Sequence, residues 1–264
     1  MKRLAIMRPK DRQEESLELA RSMGFEAIGA SPIDLKVRDS EAFEIFLDDL
    51  VNGRVGMIIL TSSAGVRALL DLADRRARKR ELLARLEGVR VVAIGPVTAR
   101  QAERNMMRVD GMPEEFTSEG LVRALSSSYS SDKLAYVLRS DHGSPLLLAG
   151  LQGAGYSVKE VVVYTLTKRS DAPDVKSMVQ LGIAGGVDVF VFTSSLSAMT
   201  LLEAWASETS LLDAVAKLNL RAVAAIGPPT RETLESYGVR VGIMPEKATF
   251  AKLLAAIRRR LGAE

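Results

Sequence analysis

Two motifs of this chain occur twice at one spacing. Ile59-Leu60-Thr61-Ser62-Ser63 returns as Val191-Phe192-Thr193-Ser194-Ser195, and Ala93-Ile94-Gly95-Pro96 with Thr98 returns as Ala225-Ile226-Gly227-Pro228 with Thr230. Thr61 and Thr193, like Gly95 and Gly227, stand 132 residues apart. The echo reaches the ends of each copy: Leu4 to Arg8 is answered by Tyr136 to Arg139, Gly24 by Gly155, and Met112-Pro113 by Met244-Pro245. Solenoid repeats have periods of roughly 20 to 50 residues, so the repeated object here is domain-sized. The expectation is two similar lobes with a cleft between them.

A length of 264 residues suits two domains that each bury a core. With 36 basic and 33 acidic side chains, the net charge of +3 favours anionic partners only weakly. Cysteine is absent and His142 is the single histidine, which removes disulfides, thiolate nucleophiles, thiolate zinc sites and His-rich metal centres. Chemistry must then come from hydroxyls, backbone groups, carboxylates, Arg and Lys, or a bound cofactor. The apolar stretch Leu4 to Met7 is too short for a signal peptide, and no run approaches the ~20 apolar residues of a membrane span. A cytoplasmic protein is the simplest expectation.

Short apolar runs alternate with amphipathic stretches. Leu4 to Met7, Met57 to Leu60, Val89 to Ile94, Leu134 to Leu138, Val158 to Val163, Val187 to Phe192 and Ala222 to Ile226 read as buried strands. Arg12 to Met23, Ala64 to Ala73, Thr98 to Met107 and Ala198 to Ala206 have helical spacing. Such alternation predicts an α/β fold of doubly wound, flavodoxin-like parallel sheets. Gly24 and Gly155 are placed to end the first helix of each copy, where a left-handed cap favours glycine. The Ser-rich stretch 126–132 is the most linker-like composition and falls between the copies. The basic runs Arg75 to Arg80 and Arg258 to Arg260 read as solvated faces late in helices.

In a doubly wound sheet, ligands bind where strands hand over to helices. The repeated motifs sit at four such junctions: Thr61-Ser62-Ser63, Gly95 with Thr98, Thr193-Ser194-Ser195, and Gly227 with Thr230. Each offers free N–H groups, a positive dipole end and small hydroxyls, a combination that suits carboxylates or phosphates. Helix capping is the stronger reading of any one of them alone; four of matching type around one cleft weaken it in favour of an anion site. Arg8 and Arg139, ending equivalent strands, are candidates for bidentate carboxylate recognition or for surface ion pairs. Tyr164 has no phenolic counterpart, since it aligns with Ile33, and is the candidate for chemistry. Gly150 to Gly155 precedes a strand and so is no dinucleotide fingerprint, no P-loop is present, and Arg8 and Arg139 stand where a phospho-receiver would carry acids. His142 reads as an ordinary polar-loop residue.

In this order, Arg8-Pro9, Thr61-Ser62-Ser63, Ile94-Gly95 with Thr98, Val163-Tyr164, Phe192-Thr193-Ser194-Ser195 and Ala225-Ile226-Gly227-Pro228 resemble the uroporphyrinogen-III synthase family across the whole chain. The resemblance implies that the lobes exchange their first strand and helix. Lobe one then holds 1–34 plus 168–264, lobe two holds 38–165, and extended connectors lie near 35–37 and 164–168. It also implies a monomer that closes on hinges. The implied activity is conversion of hydroxymethylbilane, received from an upstream deaminase, into uroporphyrinogen III with loss of water and inversion of ring D. Neither metal nor organic cofactor is implied, nor any nucleic-acid or membrane partner. Tyr164 is then the proton donor, with Arg8, Arg139 and the four junctions holding carboxylates. The competing expectation is a two-lobed protein that binds or senses a small anion without transforming it.

Overall fold

Leu4, Ala5, Ile6 and Met7 are all buried, because the strand they form is covered on both faces. Ala5 and Met7 point into one core, and Leu4 and Ile6 into another. The same alternation governs an inner strand of a second sheet, where Ile58 and Leu60 face one core and Met57 and Ile59 the other. Burial on both faces turns a half-apolar alternation into a continuous apolar run, which is why these strands stand out in the sequence.

The computed structural model describes residues 1–126 and 134–262. It begins β1 (Arg3–Met7), α1 (Lys10–Ser22), β2 (Glu26–Ala30), β3 (Ile33–Val37), α2 (Glu41–Val51), β4 (Val55–Leu60) and α3 (Ser63–Arg75). There follow α4 (Lys79–Leu86), β5 (Arg90–Ala93), α5 (Pro96–Glu103), α6 (Ser118–Ser126), β6 (Leu134–Ser140), α7 (Pro145–Gly153) and β7 (Val158–Lys168). The chain continues with α8 (Pro173–Ile183), β8 (Val189–Phe192), α9 (Ser195–Glu208), α10 (Leu211–Asn219), β9 (Ala222–Ala225), α11 (Pro228–Ser236) and α12 (Phe250–Arg260). The linker-like stretch lies, from Ser127 onward, outside the described residues.

The described chain divides into two units, Met1–Asp34 with Thr167–Glu264, and Leu35–Leu166. One sheet has the order β2-β1-β8-β9, the other β3-β7-β6-β4-β5. Strands from the first copy thus pair with strands from the second in both sheets. β1 lies parallel to β8, and β6 parallel to β4. Each sheet is extended by one isolated parallel bridge, Ala224 to Ile243 and Val92 to Gly111, and these pairs are again 132 residues apart. With the bridge counted, each unit follows the flavodoxin-like order 2-1-3-4-5, and the first strand, helix and second strand of each copy are exchanged.

Register corrects the alignment of the exchanged portion. Leu4 pairs with Val189, whereas the equivalent partner of Met57 is Ala135, not Tyr136. The first strands are therefore offset by 131 residues, which also matches Arg8 with Arg139 and Gly24 with Gly155. Both glycines have positive φ, +86° and +89°. In each, the following residue closes back onto the helix, Phe25 N–H to Ala20 O and Tyr156 N–H to Leu151 O, a Schellman ending that a left-handed residue makes possible.

The basic run Arg75 to Arg80 does not lie late in one helix. Arg75 ends α3, Arg78 precedes α4, and Lys79 and Arg80 open it. Arg76 pairs with Asp39 and Glu44, and Arg78 with Glu44, Asp48 and Glu81. Acidic partners from α2 and its approach thus offset a helix start that would otherwise repel positive charge.

Candidate functional site

In the unit formed by 35–166, the topological switch point lies between β6 and β4. Thr61 directly follows β4 there, and its hydroxyl donates to Leu138 O at 3.2 Å, latching the two strand ends together. Ser62 is the N-cap of α3, its Oγ accepting Gly65 N–H at 2.9 Å. The same Oγ lies 2.9 Å from the Tyr164 hydroxyl.

Tyr164 reaches this position through an irregularity. Arg139 pairs with Val162 but Ser140 with Tyr164, so Val163 is a bulge residue. Val163 and Tyr164 are consequently buried in succession, against the alternation of a regular strand. A bulge re-aims the side chain beside it, and here it turns the phenol, 6% exposed, towards the switch point. A cavity of about 190 Å³ opens beside it, lined by Thr61, Ile94, Ser118, Arg139, Ser140 and Ser144 as well as Tyr164. That volume takes a fragment of a large ligand rather than the whole.

Arg139 makes an ion pair, one of its two expectations, but at 5% exposure it does so from a buried position and not on the surface. Its Nε donates to Glu160 and its Nη1 to Ser144 O. The side chain fills the space where a Cβ on Gly143 would lie, so the loop after β6 is wrapped around the guanidinium. His142 in that loop is exposed and bonds Asp141 Oδ1 at 2.9 Å. Burial works against ionisation of Asp141, but the bonds from His142 and from Leu166 N–H outweigh it and hold the carboxyl below its usual range.

The other unit has the equivalent switch point between β1 and β8. Thr193 donates to Met7 O at 2.9 Å, reproducing the latch. Ser194 is the N-cap of α9, and Ser195 donates to Pro229 O at 2.9 Å. Arg8 leaves β1 here with its guanidinium 4.5 Å from the Phe250 ring centroid. Its Nη1 is buried and has no hydrogen-bond partner among the described residues. Burial first, then the charge of Arg12, push the Arg8 pKa down from 12.5 to about 10; the group stays cationic at neutral pH. A buried donor left unsatisfied beside a helix start would gain a hydrogen bond from an anion placed there.

Gly95 and Gly227 are the N-caps of α5 and α11, each followed by proline at the first helical position and neither with a side-chain cap. In α5 the Val97 and Thr98 N–H groups are left for an outside acceptor, whereas α11, whose first two residues are Pro228 and Pro229, leaves only that of Thr230. At Gly95 a Cβ would meet Phe116 at 3.2 Å, so packing also favours glycine there. Thr98 and Thr230 are each 4% exposed and contribute to the inner faces of these helices. Ser63 opens α3 directly after the Ser62 cap.

Ser118, Ser140, Gly143 and Ser144 also line the cavity, although no repeated motif marks them in the sequence. Ser144-Pro145, an N-cap followed by proline, is the signal that could have found them. Among the described residues no group of three or more His, Cys, Asp or Glu side chains is placed to hold a metal ion, and no helix is long and apolar enough to cross a membrane.

Doubly wound units with the repeated strand–helix junctions at both switch points define a two-unit parallel α/β protein. The family model described as uroporphyrinogen-III synthase HemD matches residues 14–255, and the chain belongs to that family. It is thereby a cyclising lyase of tetrapyrrole biosynthesis with a tetrapyrrole substrate, and sensing without chemistry is not favoured. A Methanothermobacter thermautotrophicus protein provisionally named a uroporphyrinogen-III synthase is 29% identical, with 98% of each chain covered. The uroporphyrinogen-III synthase of Synechococcus elongatus is 27% identical over 64% of this chain and 63% of its own. The fold is shared with the crystal structure of a mutant uroporphyrinogen III synthase from Thermus thermophilus, at TM-score 0.69, 20% identity and full coverage of both chains.

Proposed function

We propose that this chain closes hydroxymethylbilane to uroporphyrinogen III, with Tyr164 delivering a proton to the departing hydroxyl. The observation that carries this reading is the Ser62–Tyr164 hydroxyl pair, 2.9 Å apart, at a switch point beside a polar cavity. Proton transfer from the phenol lets the hydroxyl leave as water and generates an azafulvene cation. Attack by the substituted carbon of ring D gives a spiro intermediate, which fragments and recloses with that ring inverted. The phenolate recovers its proton when the closed macrocycle loses one.

Uncatalysed closure gives the uninverted type I product, so holding the chain ends in the productive geometry is the larger part of the task. Arg8, Arg139 and the uncapped starts of α5 and α11 support that role, as does the positive end of each helix that begins after Ser62 or Ser194. Since Thr98 and Thr230 are buried, their helices' N–H groups, not these hydroxyls, would meet the carboxylates. Thr61 and Thr193 act by fixing the strand ends, while Ser63 and Ser195 shape the first turns. Receipt of the substrate from the upstream deaminase by a monomeric, cytoplasmic enzyme belongs to the same proposal.

Tyr164→Phe is expected to lower kcat for type III formation by about 10-fold or more, the range of a general acid. Unchanged turnover in a folded variant would retire the assignment.

A further inference from the structure

The two copies part company three residues after their capping serines. Ser194 donates its hydroxyl proton to Ser197 Oγ at 2.8 Å and accepts Ser197 N–H at 3.1 Å. The residue 132 positions earlier than Ser197 is Gly65. There Ser62 caps the Gly65 N–H in the same way, but its hydroxyl meets Tyr164 OH instead. Space explains the glycine only in part. A Cβ at position 65 would stand at ordinary contact distance from Leu138 O, 3.5 Å, and Tyr164 Cε1, 3.8 Å, and would press only on Ser62 Oγ, at 3.3 Å. Glycine in a helix is also disfavoured for its backbone entropy.

A serine hydroxyl has one proton and two lone pairs. One lone pair of Ser62 is taken by the cap. If the proton goes to the phenol oxygen, the phenol's own proton is left for the substrate, and the phenolate formed on transfer is stabilised in place. If the Ser62 proton is committed elsewhere, Tyr164 can bond Ser62 only by donating to it, and its proton then points away from the substrate.

We propose that Gly65 is a positioning residue: by offering no competing hydroxyl, it reserves the Ser62 proton for Tyr164. Ser197 makes the opposite arrangement, so the equivalent junction of the other unit only caps and binds. The duplicated junctions have thereby diverged into a reactive one and a receptive one. This inference rests on Tyr164 being the proton donor.

The test compares Gly65→Ser, Gly65→Ala, Tyr164→Phe and the double variant Gly65→Ser/Tyr164→Phe, with Ser197→Gly as the reciprocal change. Serine and alanine add the same Cβ, and serine already occupies this position in the other unit, so thermal unfolding should not separate them. Gly65→Ser is expected to lower kcat by about 10-fold at unchanged KM, Gly65→Ala, which adds the Cβ without a competing hydroxyl, to lower it distinctly less, and any effect of Ser197→Gly to fall on KM rather than kcat. In the Tyr164→Phe background Gly65→Ser should add no further loss. Equal kcat for the serine and alanine variants, or an undiminished serine effect without the phenol, would overturn the role of Gly65 while leaving an impaired Tyr164→Phe to support the proton donor. Full activity of Tyr164→Phe would remove the proton donor itself and the positioning role with it.

Discussion

At Arg8 one buried guanidinium nitrogen, Nη1, is left without a hydrogen bond by the described residues, and burial and Arg12 lower the pKa of the group to about 10. An unsatisfied buried donor costs about 1 to 3 kcal/mol, a cost that an anionic ligand would relieve. We therefore expect Arg8→Met to keep or raise the unfolding temperature, by up to about 3 °C, while raising KM by about 10-fold with little change in kcat. Paired thermal melts and steady-state kinetics check this; a destabilised variant with normal KM would make Arg8 structural. Asp49 shows the opposite arrangement. It accepts from Tyr136 at 2.6 Å, Lys159 at 2.9 Å and Arg54 at 3.1 Å. These bonds, the Tyr136 one foremost, hold its pKa at about 2 instead of 3.8. The folded-state value is depressed, so the stabilisation is full above the unfolded value and fades as pH falls from about 4 towards 2. Asp49→Asn should lower the unfolding temperature at pH 6, and the gap from wild type should narrow by pH 3. A constant gap would show that the carboxylate charge is not what stabilises.

Among the elements, the ends of α5 and α11 offer an internal comparison. Met106 follows α5 at φ +61° with its side chain 80% exposed, and its counterpart Gly238 follows α11 at φ +88°. The next residues close equivalent bonds, Met107 N–H to Ala102 O and Val239 N–H to Leu234 O. A methionine held in the left-handed region carries about 1 kcal/mol of strain, so Met106→Gly should raise stability by up to about 1 kcal/mol and Gly238→Ala should lower it by a similar amount. Chemical denaturation of both variants reads the sign; a destabilised Met106→Gly contradicts the strain. Element type was legible where burial on both faces made a strand uniformly apolar, as in β1, β4 and β6. It was not legible in β2, where Glu26 and Gly29 interrupt the run, or in β3, where Ile33 and Leu35 alternate with Asp34 and Lys36. The bulge at Val163 could not be read at all, because register exists only relative to β6. Tyr164 was therefore visible as a residue type without a counterpart, but the hydroxyl it meets was not.

For the molecule as a whole, the duplication disclosed two units but not how the strands are shared. Both copies carry the same apolar pattern, so a sheet closes equally well with its own first strand or with the other copy's; only the pairing distinguishes them. In the order β3-β7-β6-β4-β5, residues of β6 and β7 stand between β3 and β4. A fragment of residues 35–166 should accordingly unfold cooperatively by circular dichroism, whereas residues 1–132, the copy defined by sequence, should not. Cooperative folding of 1–132 alone would show that the exchange is dispensable. Ring-inverting closure is the reaction proposed for this chain. Hydroxymethylbilane generated in situ by its deaminase, converted by this protein, oxidised and resolved into uroporphyrin isomers by chromatography, tests it most directly. The account predicts predominantly type III; type I at the enzyme-free level, from protein shown to be folded, would contradict it.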